Sequence, residues 1–177
     1  GAQAKLTGKL GICAGTVGPG AIHLLNGLYD AKMDHAPVLA ITGQVPRSEI
    51  GSNYHQEVNL DRLFDDVCVY NQTVMSSCQM PRLGVLAAQS ALSNSGVAHI
   101  SIPSDVGPDK IKDEGIHVVY VSDSEVVPTK THLDEIATVI NNSKTITLMV
   151  GWGARGSTKE VLELADKLQA PVVHSLK

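Results

Sequence analysis

The segment spanning residues 15–57 constrains the fold of this chain more than any other. A tight apolar run at residues 10–14 leads into a loop with three glycines and a proline, and an amphipathic stretch and a second apolar run at residues 38–42 follow. This order predicts a strand, a glycine-rich loop, a helix and a second strand. Glycines at the exit of the first strand permit positive φ and close approach of a ligand, and the helix start offers free N–H groups.

The glycine spacing in this loop differs from two common nucleotide-binding motifs. Gly15, Gly18 and Gly20 do not follow the order G-x-G-x-x-G of dinucleotide sites, and no Gly-Lys-Ser/Thr follows to make a P-loop. Spacing alone leaves two interpretations open: the loop only turns the chain, or it also contacts a ligand.

Strand and helix signals alternate along the rest of the chain. Helices are predicted at residues 19–33, 60–65, 81–95, 131–142 and after Ser157, and strands at residues 67–74, 97–102, 145–150 and from Pro171. Continuous apolar runs such as 38–42 and 145–150 predict strands that are buried on both faces, as in parallel sheets. Thr131 and Ser157 are predicted to cap their helices. We therefore predict an α/β fold with a doubly wound, mainly parallel sheet.

Composition shifts divide the chain into two predicted domains. We predict that residues 1–105 form the first domain, residues 106–130 a linker with two prolines and a run of charges, and residues 131–177 the beginning of a second, Rossmann-like α/β domain. The chain opens inside a helical pattern that Gly8 ends. We therefore expect a piece of a longer protein, with the first domain incomplete at its N-terminus and the second at its C-terminus.

The composition argues against several classes of protein. A net charge of −4 without a basic block argues against nucleic-acid binding. No apolar run approaches the roughly 18 residues of a membrane span, and no signal peptide is visible. Cys13, Cys68 and Cys78 are odd in number and have no metal-ligand spacing, so we predict free thiols, no metal site in these residues and a cytoplasmic location.

Three motifs resemble the thiamine-diphosphate enzymes of the pyruvate oxidase group. They are Gly-Thr-Val-Gly-Pro-Gly-Ala-Ile-His at residues 15–23, Asn-Gly-Leu at residues 26–28 and Ile-Gly-Ser-Asn-Tyr-His-Gln-Glu at residues 50–57. The resemblance is to the pyrimidine-binding domain of that group, covers residues 1–105 well and continues more loosely to the C-terminus. It implies a flavoprotein that decarboxylates pyruvate or a similar 2-ketoacid and passes electrons to FAD and then to oxygen or a quinone, as a homodimer or homotetramer.

The resemblance assigns roles to residues around the glycine-rich loop. It implies that Thr16, Gly18, Pro19 and Gly20 bind thiamine diphosphate, and that the catalytic residues His23, His55 and Gln56 line the substrate pocket. A histidine at position 23 could donate a hydrogen bond to a carboxylate or a developing oxyanion, although a lone histidine is often structural. His55 departs from the family, where a bulky apolar residue is common. We expect Glu57 to pair with a backbone N–H or a basic side chain rather than to act as an acid.

The same resemblance places FAD in the middle domain, so Gly151, Gly153 and Arg155 are predicted to approach it. In the family, a Gly-Asp-Gly motif on another domain holds the diphosphate and Mg²⁺, and this sequence contains no Gly-Asp-Gly. The glutamate that faces the pyrimidine ring lies upstream of Gly1. We therefore expect the Mg²⁺ site to lie outside these 177 residues and the chain alone to be inactive.

Two other functions stay open at this stage. Acetolactate synthases share the Gly-Pro-Gly loop, but they usually carry asparagine where this chain has His23. A non-catalytic thiamine-fold module used for assembly is the third interpretation. Residues upstream of Gly1 would discriminate, because loss of the pyrimidine-facing glutamate would favour the module.

Overall fold

The computed structural model describes residues 1–111, 118–121 and 126–175. The chain divides into two compact units, Gly1–Asp123 and Ser124–Lys177, and each is described by itself. The predicted linker at residues 106–130 lies partly outside the described residues, so the predicted domain limits stay a prediction.

The first unit is a parallel four-stranded sheet with helices on both faces. Its strands run in the order β1-β2-β4-β3, and every neighbouring pair is parallel. The elements in chain order are α1 (Ala2–Thr7), β1 (Gly11–Gly15), α2 (Pro19–Met33), β2 (Val38–Gln44), α3 (Leu60–Leu63), β3 (Cys68–Thr73), α4 (Met80–Ser93) and β4 (Val97–Pro103). The predicted α/β class and mainly parallel sheet are confirmed.

Two apolar clusters cover the two faces of this sheet. Because side chains alternate along a strand, neighbouring residues of β2 point to opposite faces. One cluster joins α2 and the residues around α3 to the sheet: Ala21, Leu28, Ala31, Val38, Ala40, Leu60, Phe64 and Val97. The other joins α4 to the opposite face: Leu39, Val74, Ala87, Ala91, Ala98, Ile100 and Val106. The central strands β2 and β4 are therefore buried on both faces, as the apolar run at residues 38–42 predicts for β2.

Local sequence signals set the ends of the helices in this unit. Pro19 is the first residue of α2, where its fixed φ and missing N–H are favourable, and Gly18 precedes it with φ 62°. Gly8 ends α1 in the left-handed conformation, with φ 68°, that glycine adopts readily. The predicted bounds of α2 are confirmed to the residue.

The second unit contains two helices and a parallel pair of strands. Its elements are α5 (Lys130–Asn141), β5 (Leu148–Val150), α6 (Thr158–Leu168) and β6 (Val172–His174).

Three predictions for the second unit need correction. The side chain of Thr129, not Thr131, caps α5, because the helix begins earlier and Thr129 accepts from the His132 N–H. Ser157 precedes α6 but makes no side-chain capping bond. The run at residues 145–150 contributes only a three-residue strand, and Met149 is 79% exposed because the two-stranded sheet is not covered on both faces there.

A polar network lies inside the first unit, at the middle of β4. His99 is fully buried, with its Nε2 2.8 Å from the Thr42 hydroxyl, its Nδ1 2.7 Å from Asn71 Oδ1 and its ring stacked on Phe64 at 3.8 Å between centroids. Asn71 donates its amide N–H to the Asp61 carbonyl at 2.8 Å, so its Oδ1 is free to accept from His99 Nδ1–H. Burial lowers the pKa of His99 to about 4, so the ring is neutral at neutral pH and its Nε2 accepts from the Thr42 hydroxyl.

We expect the stability of the first unit to fall as the pH decreases from about 6.5 to about 4. In this window the unfolded chain binds a proton at His99 that the folded chain does not, so the lower pH favours unfolding. Over the whole window, the free energy of unfolding should fall by about 3 kcal/mol. His99→Gln should remove this part of the pH dependence, as measured by urea unfolding at several pH values.

The matched control is His35→Asn. His35 is exposed with φ 51°, a left-handed conformation that asparagine tolerates, so this variant should keep the wild-type pH dependence. Equal pH dependence in His99→Gln and the wild type would contradict a buried neutral histidine.

Candidate functional site

The predicted site lies at the edge of the sheet where β1 and β2 end. Parallel strands bring their carboxyl ends to one edge, which is where open α/β sheets bind ligands. Residues 16–18 connect β1 to α2 at this edge, and the loop between β2 and α3 contains residues 50–57. A Cβ atom on Gly43 in β2 would lie 3.2 Å from the backbone nitrogen of Val17, so the end of β2 packs closely against the first loop.

The two motif segments meet at a contact between Gly18 and Gln56. Gly18 is buried and has φ 62°, and a Cβ atom there would lie 2.5 Å from the Gln56 carbonyl oxygen. Gln56 also has φ 62°, although it is not a glycine. Both the backbone conformation and the close approach therefore require glycine at position 18. The structure thus joins residues that are far apart in the sequence.

The other glycines of the loop pack against the loop itself. A Cβ atom on Gly20 would lie 2.6 Å from the Thr16 methyl group, and one on Gly15 would lie 2.9 Å from the Gly20 carbonyl oxygen. Internal packing alone therefore accounts for these glycines. A direct contact of Thr16, Gly18, Pro19 and Gly20 with a cofactor stays a prediction.

The side chains predicted to face a substrate are exposed at this edge. His23 lies in the second turn of α2, and His55 and Gln56 lie in the second loop; all three are exposed. In the part of the chain that the structure describes, no hydrogen bond joins His23 to either of the other two. The edge therefore presents three polar side chains that are free to contact another molecule or surface.

Glu57 ends the second loop and binds backbone N–H groups within it. One carboxylate oxygen accepts from the Gly51 N–H, and the other lies 3.1 Å from the Tyr54 nitrogen. These bonds, the one from Gly51 first, hold the pKa of Glu57 below its usual range. These bonds agree with the prediction that Glu57 pairs with a backbone N–H or a basic side chain, and the absence of an acid role stays a prediction.

A cleft of ≈ 350 Å³ opens beside this loop and was not predicted from the sequence. Its lining includes Gln44, Arg47, Glu57 and Asp61. The Arg47 side chain is paired there, because its Nε lies 2.7 Å from an Asp105 carboxylate oxygen, and this bond lowers the pKa of Asp105.

The polar network beneath the edge, which runs from the buried His99 and Ser101 to the exposed Asp61, was also missed. Thr73 lies 2.9 Å from an Asp61 carboxylate oxygen and 2.7 Å from the Ser101 hydroxyl. The polar residues His99 and Ser101 within the apolar run of β4 were the available signal, since a strand buried on both faces must pair its polar side chains.

The second unit has its own cleft, at the carboxyl ends of β5 and β6. Gly151 and Arg155 line this cleft of ≈ 250 Å³ together with His174 and Ser175. The Arg155 guanidinium lies 4.7 Å from the centre of the Trp152 ring. Gly153 lies in the same turn, and a Cβ atom on it would meet nothing within 4 Å. Packing therefore gives no reason for glycine at position 153.

Metal-binding and membrane features were sought in the same residues. Among residues 1–111, 118–121 and 126–175, no group of three or more His, Cys, Asp or Glu is placed to hold a metal ion. None of the helices in these ranges is long and apolar enough to cross a membrane. Cys13, Cys68 and Cys78 are free thiols, and burial raises the pKa of Cys68 to about 12.

Comparison with known proteins gives a family match for the N-terminal part of the first unit. Residues 1–63 match the family described as thiamine pyrophosphate enzyme, N-terminal TPP binding domain. The chain is 46% identical over 177 residues to the "Putative thiamine pyrophosphate-containing protein YdaP" of Bacillus subtilis, covering 99% of this chain and 31% of that protein.

Two further relatives match this chain with similar identity but have different names. A pyruvate oxidase of Lactiplantibacillus plantarum is 34% identical over 175 residues, covering 97% of this chain and 29% of that protein. An acetolactate synthase of Arthrospira platensis is 35% identical over 180 residues, covering 98% of this chain and 31% of that protein. The chain thus spans less than a third of the length of these three relatives.

Gly18→Ala should separate the two motif segments and destabilise the first unit. Alanine would meet the Gln56 carbonyl oxygen and would have to adopt positive φ, so we expect a loss of at least about 1–2 kcal/mol. Urea unfolding followed by circular dichroism measures this change.

Gly27→Ala, in the helix that follows Gly18, is the matched control. Gly27 lies inside α2, where a Cβ atom meets nothing within 4 Å, so alanine should stabilise by about 0.5–1 kcal/mol. Equal effects of the two substitutions would show that the Gly18–Gln56 contact does not hold the loops together.

Proposed function

We propose that the whole protein is a pyruvate oxidase or pyruvate:quinone dehydrogenase. The proposal takes residues 1–63 as the thiamine pyrophosphate enzyme N-terminal domain that they match. The protein would decarboxylate pyruvate or a similar 2-ketoacid and pass the electrons through FAD to oxygen or a quinone. When bound, thiamine diphosphate supplies the electron sink on which a 2-ketoacid loses carbon dioxide. The contact between Gly18 and Gln56 carries the proposal, because it brings the two motif segments to one edge.

The residues at this edge fit one side of a thiamine site. Helix α2 begins without a side-chain cap, and in the proposal the backbone N–H of Gly20 in its first turn contacts a polar group of the cofactor. Thr16 and Gly18 lie in the loop in front of that helix, and Pro19 and Gly20 are its first two residues. In the proposal, His23 donates a hydrogen bond to the carboxylate of the substrate, while Gln56 and His55 fix its orientation.

The exposure of these side chains supports a site that a second protein surface completes. A cofactor that lay on this edge alone would stay largely in water, whereas enzyme sites bury most of a ligand. We propose that the covering surface belongs to another domain in a homodimer or homotetramer, which also supplies Mg²⁺ and the diphosphate contacts. The relatives are more than three times as long as this chain, which leaves room for such domains. The free thiols suit a cytoplasmic location.

The second unit supports the flavin part of the proposal. We assign residues 131–177 to the start of an FAD-binding domain, with residues 106–130 as its linker to the first domain. The cleft at the ends of β5 and β6 holds Arg155, a cation suited to a phosphate group, and the backbone at Gly153 is open to close approach. The Ser175 hydroxyl oxygen is buried and finds no hydrogen-bond partner among the described residues, so a ligand could supply one.

An acetolactate-synthase-like enzyme is the second candidate. The Arabidopsis thaliana chloroplastic acetolactate synthase is 33% identical over 178 residues, close to the value for the pyruvate oxidase, so identity does not separate the two activities. His23 favours the oxidase, because the synthases that we know usually carry asparagine there. A non-catalytic assembly module is the remaining candidate.

The full-length protein, supplied with thiamine diphosphate and Mg²⁺, should reduce an electron-accepting dye when pyruvate is added. His23→Asn should lower kcat/KM for pyruvate by about tenfold or more, as expected for loss of a hydrogen bond to a charged group. His35→Asn, an exposed histidine outside this edge, is the control and should keep the wild-type value. Formation of acetolactate without dye reduction would favour the synthase, and neither activity would favour the assembly module.

Gly153→Val in the full-length protein should reduce FAD retention about tenfold or more while leaving the melting temperature of the flavin-free protein unchanged. The physical reason is that a Cβ atom at this position meets nothing within 4 Å, whereas the valine side chain would occupy space that the proposal gives to the flavin. Flavin absorbance per protein after purification measures retention. Unchanged flavin content would show that the turn is structural only.

A further inference from the structure

We propose that Glu57 is a positioning residue of this site: its carboxylate closes the loop at residues 51–57 and so holds the backbone of Gln56 against Gly18. The inference rests on the proposed function, because it assigns Glu57 a role that acts through His55 and Gln56. The sequence predicts only that Glu57 pairs with a backbone N–H or a basic side chain. The inference adds that this pairing fixes the positions of the His55 and Gln56 side chains.

The hydrogen bonds of Glu57 connect both ends of a short turn. Its carboxylate accepts from the N–H groups of Gly51 and Tyr54, and its own N–H donates to the Tyr54 carbonyl at 2.9 Å. Bonds from N–H groups to a carboxylate are charge-assisted and stronger than neutral ones. One side chain therefore holds the start, the middle and the end of the segment.

The backbone of this segment needs such a restraint. Gly51, Asn53 and Gln56 all have positive φ, at 90°, 60° and 62°. Glycine adopts this conformation readily and asparagine tolerates it, but glutamine does so at a cost in free energy. A strained residue persists where its surroundings over-determine it, and such residues cluster at functional sites. The bonds of Glu57 on one side and the contact with Gly18 on the other supply those constraints.

The position of Gln56 is set closely because Gly18 leaves no spare room. A Cβ atom on Gly18 would lie only 2.5 Å from the Gln56 carbonyl oxygen, which is closer than two such atoms can approach. Gly18 is also the residue that precedes α2, the helix that carries His23. A loop that moved outward would therefore carry His55 and Gln56 away from His23. The lowered pKa of Glu57 agrees with a carboxylate that stays charged and accepts these bonds at neutral pH.

The first test is amide hydrogen exchange on the 177-residue chain, with Glu57→Gln as the variant. We expect the Gly51 and Tyr54 amides to exchange about tenfold faster, as for loss of a charge-assisted bond. Glu49→Gln is the matched control, because the Glu49 carboxylate lies in the same loop and accepts from the Ser48 and Ser52 hydroxyls at 3.3 and 3.4 Å. Unchanged exchange in Glu57→Gln would overturn the proposal.

The second test measures the same variants in the full-length enzyme. Glu57→Gln should lower kcat/KM for the 2-ketoacid about tenfold and leave the Kd for thiamine diphosphate within about twofold. Faster exchange with unchanged kcat/KM would show a structural role only and overturn the proposal. Absence of thiamine-dependent activity in the wild type would instead defeat the proposed function.

Discussion

The first unit depends on the parallel pairing of β2 with β4. Seven residues of each strand are in register, from Val38 opposite Val97 to Gln44 opposite Pro103. Both strands are covered on both faces, so each apolar layer of the unit is assembled on this pair. The bond between Thr42 and His99 crosses the same pair inside the core, where polar groups must be satisfied by one another. Without this pairing neither helix layer would have a surface on which to pack.

The candidate site is built on the sheet, and its loops lie at the edge where β1 and β2 end. The ends of β1 and β2 fix the origins of two loops, and the Gly18–Gln56 contact fixes the loops to each other. The buried network below them carries polar side chains that are fully paired, whereas His23 and His55 are exposed above. This separation is physically sensible, because residues that must contact another molecule keep their hydrogen-bonding capacity only outside the core.

Much of the fold was predictable, because its signals are local. The bounds of α2 follow from Pro19 and the apolar spacing after it, and the burial of β2 on both faces follows from its apolar run. The start of α5 was not predictable in this way. Thr129 and Thr131 both offer a capping hydroxyl, and the sequence does not show which of the two caps the helix. In the site, the two motif segments were identified, but their contact at Gly18 depends on positive φ in two distant residues, which periodicity does not report.

The pairing of β2 with β4 also has a consequence for how the chain is made on the ribosome. Thr42 and His99 are 57 residues apart in the sequence, so the centre of the sheet cannot form when β2 first emerges. At typical rates of synthesis of about 5–20 residues per second, β2 waits roughly 3–11 s for its central partner. During that interval its apolar strand has only β1 beside it and one open edge, which is the state in which a nascent chain is most exposed to aggregation and to binding by chaperones.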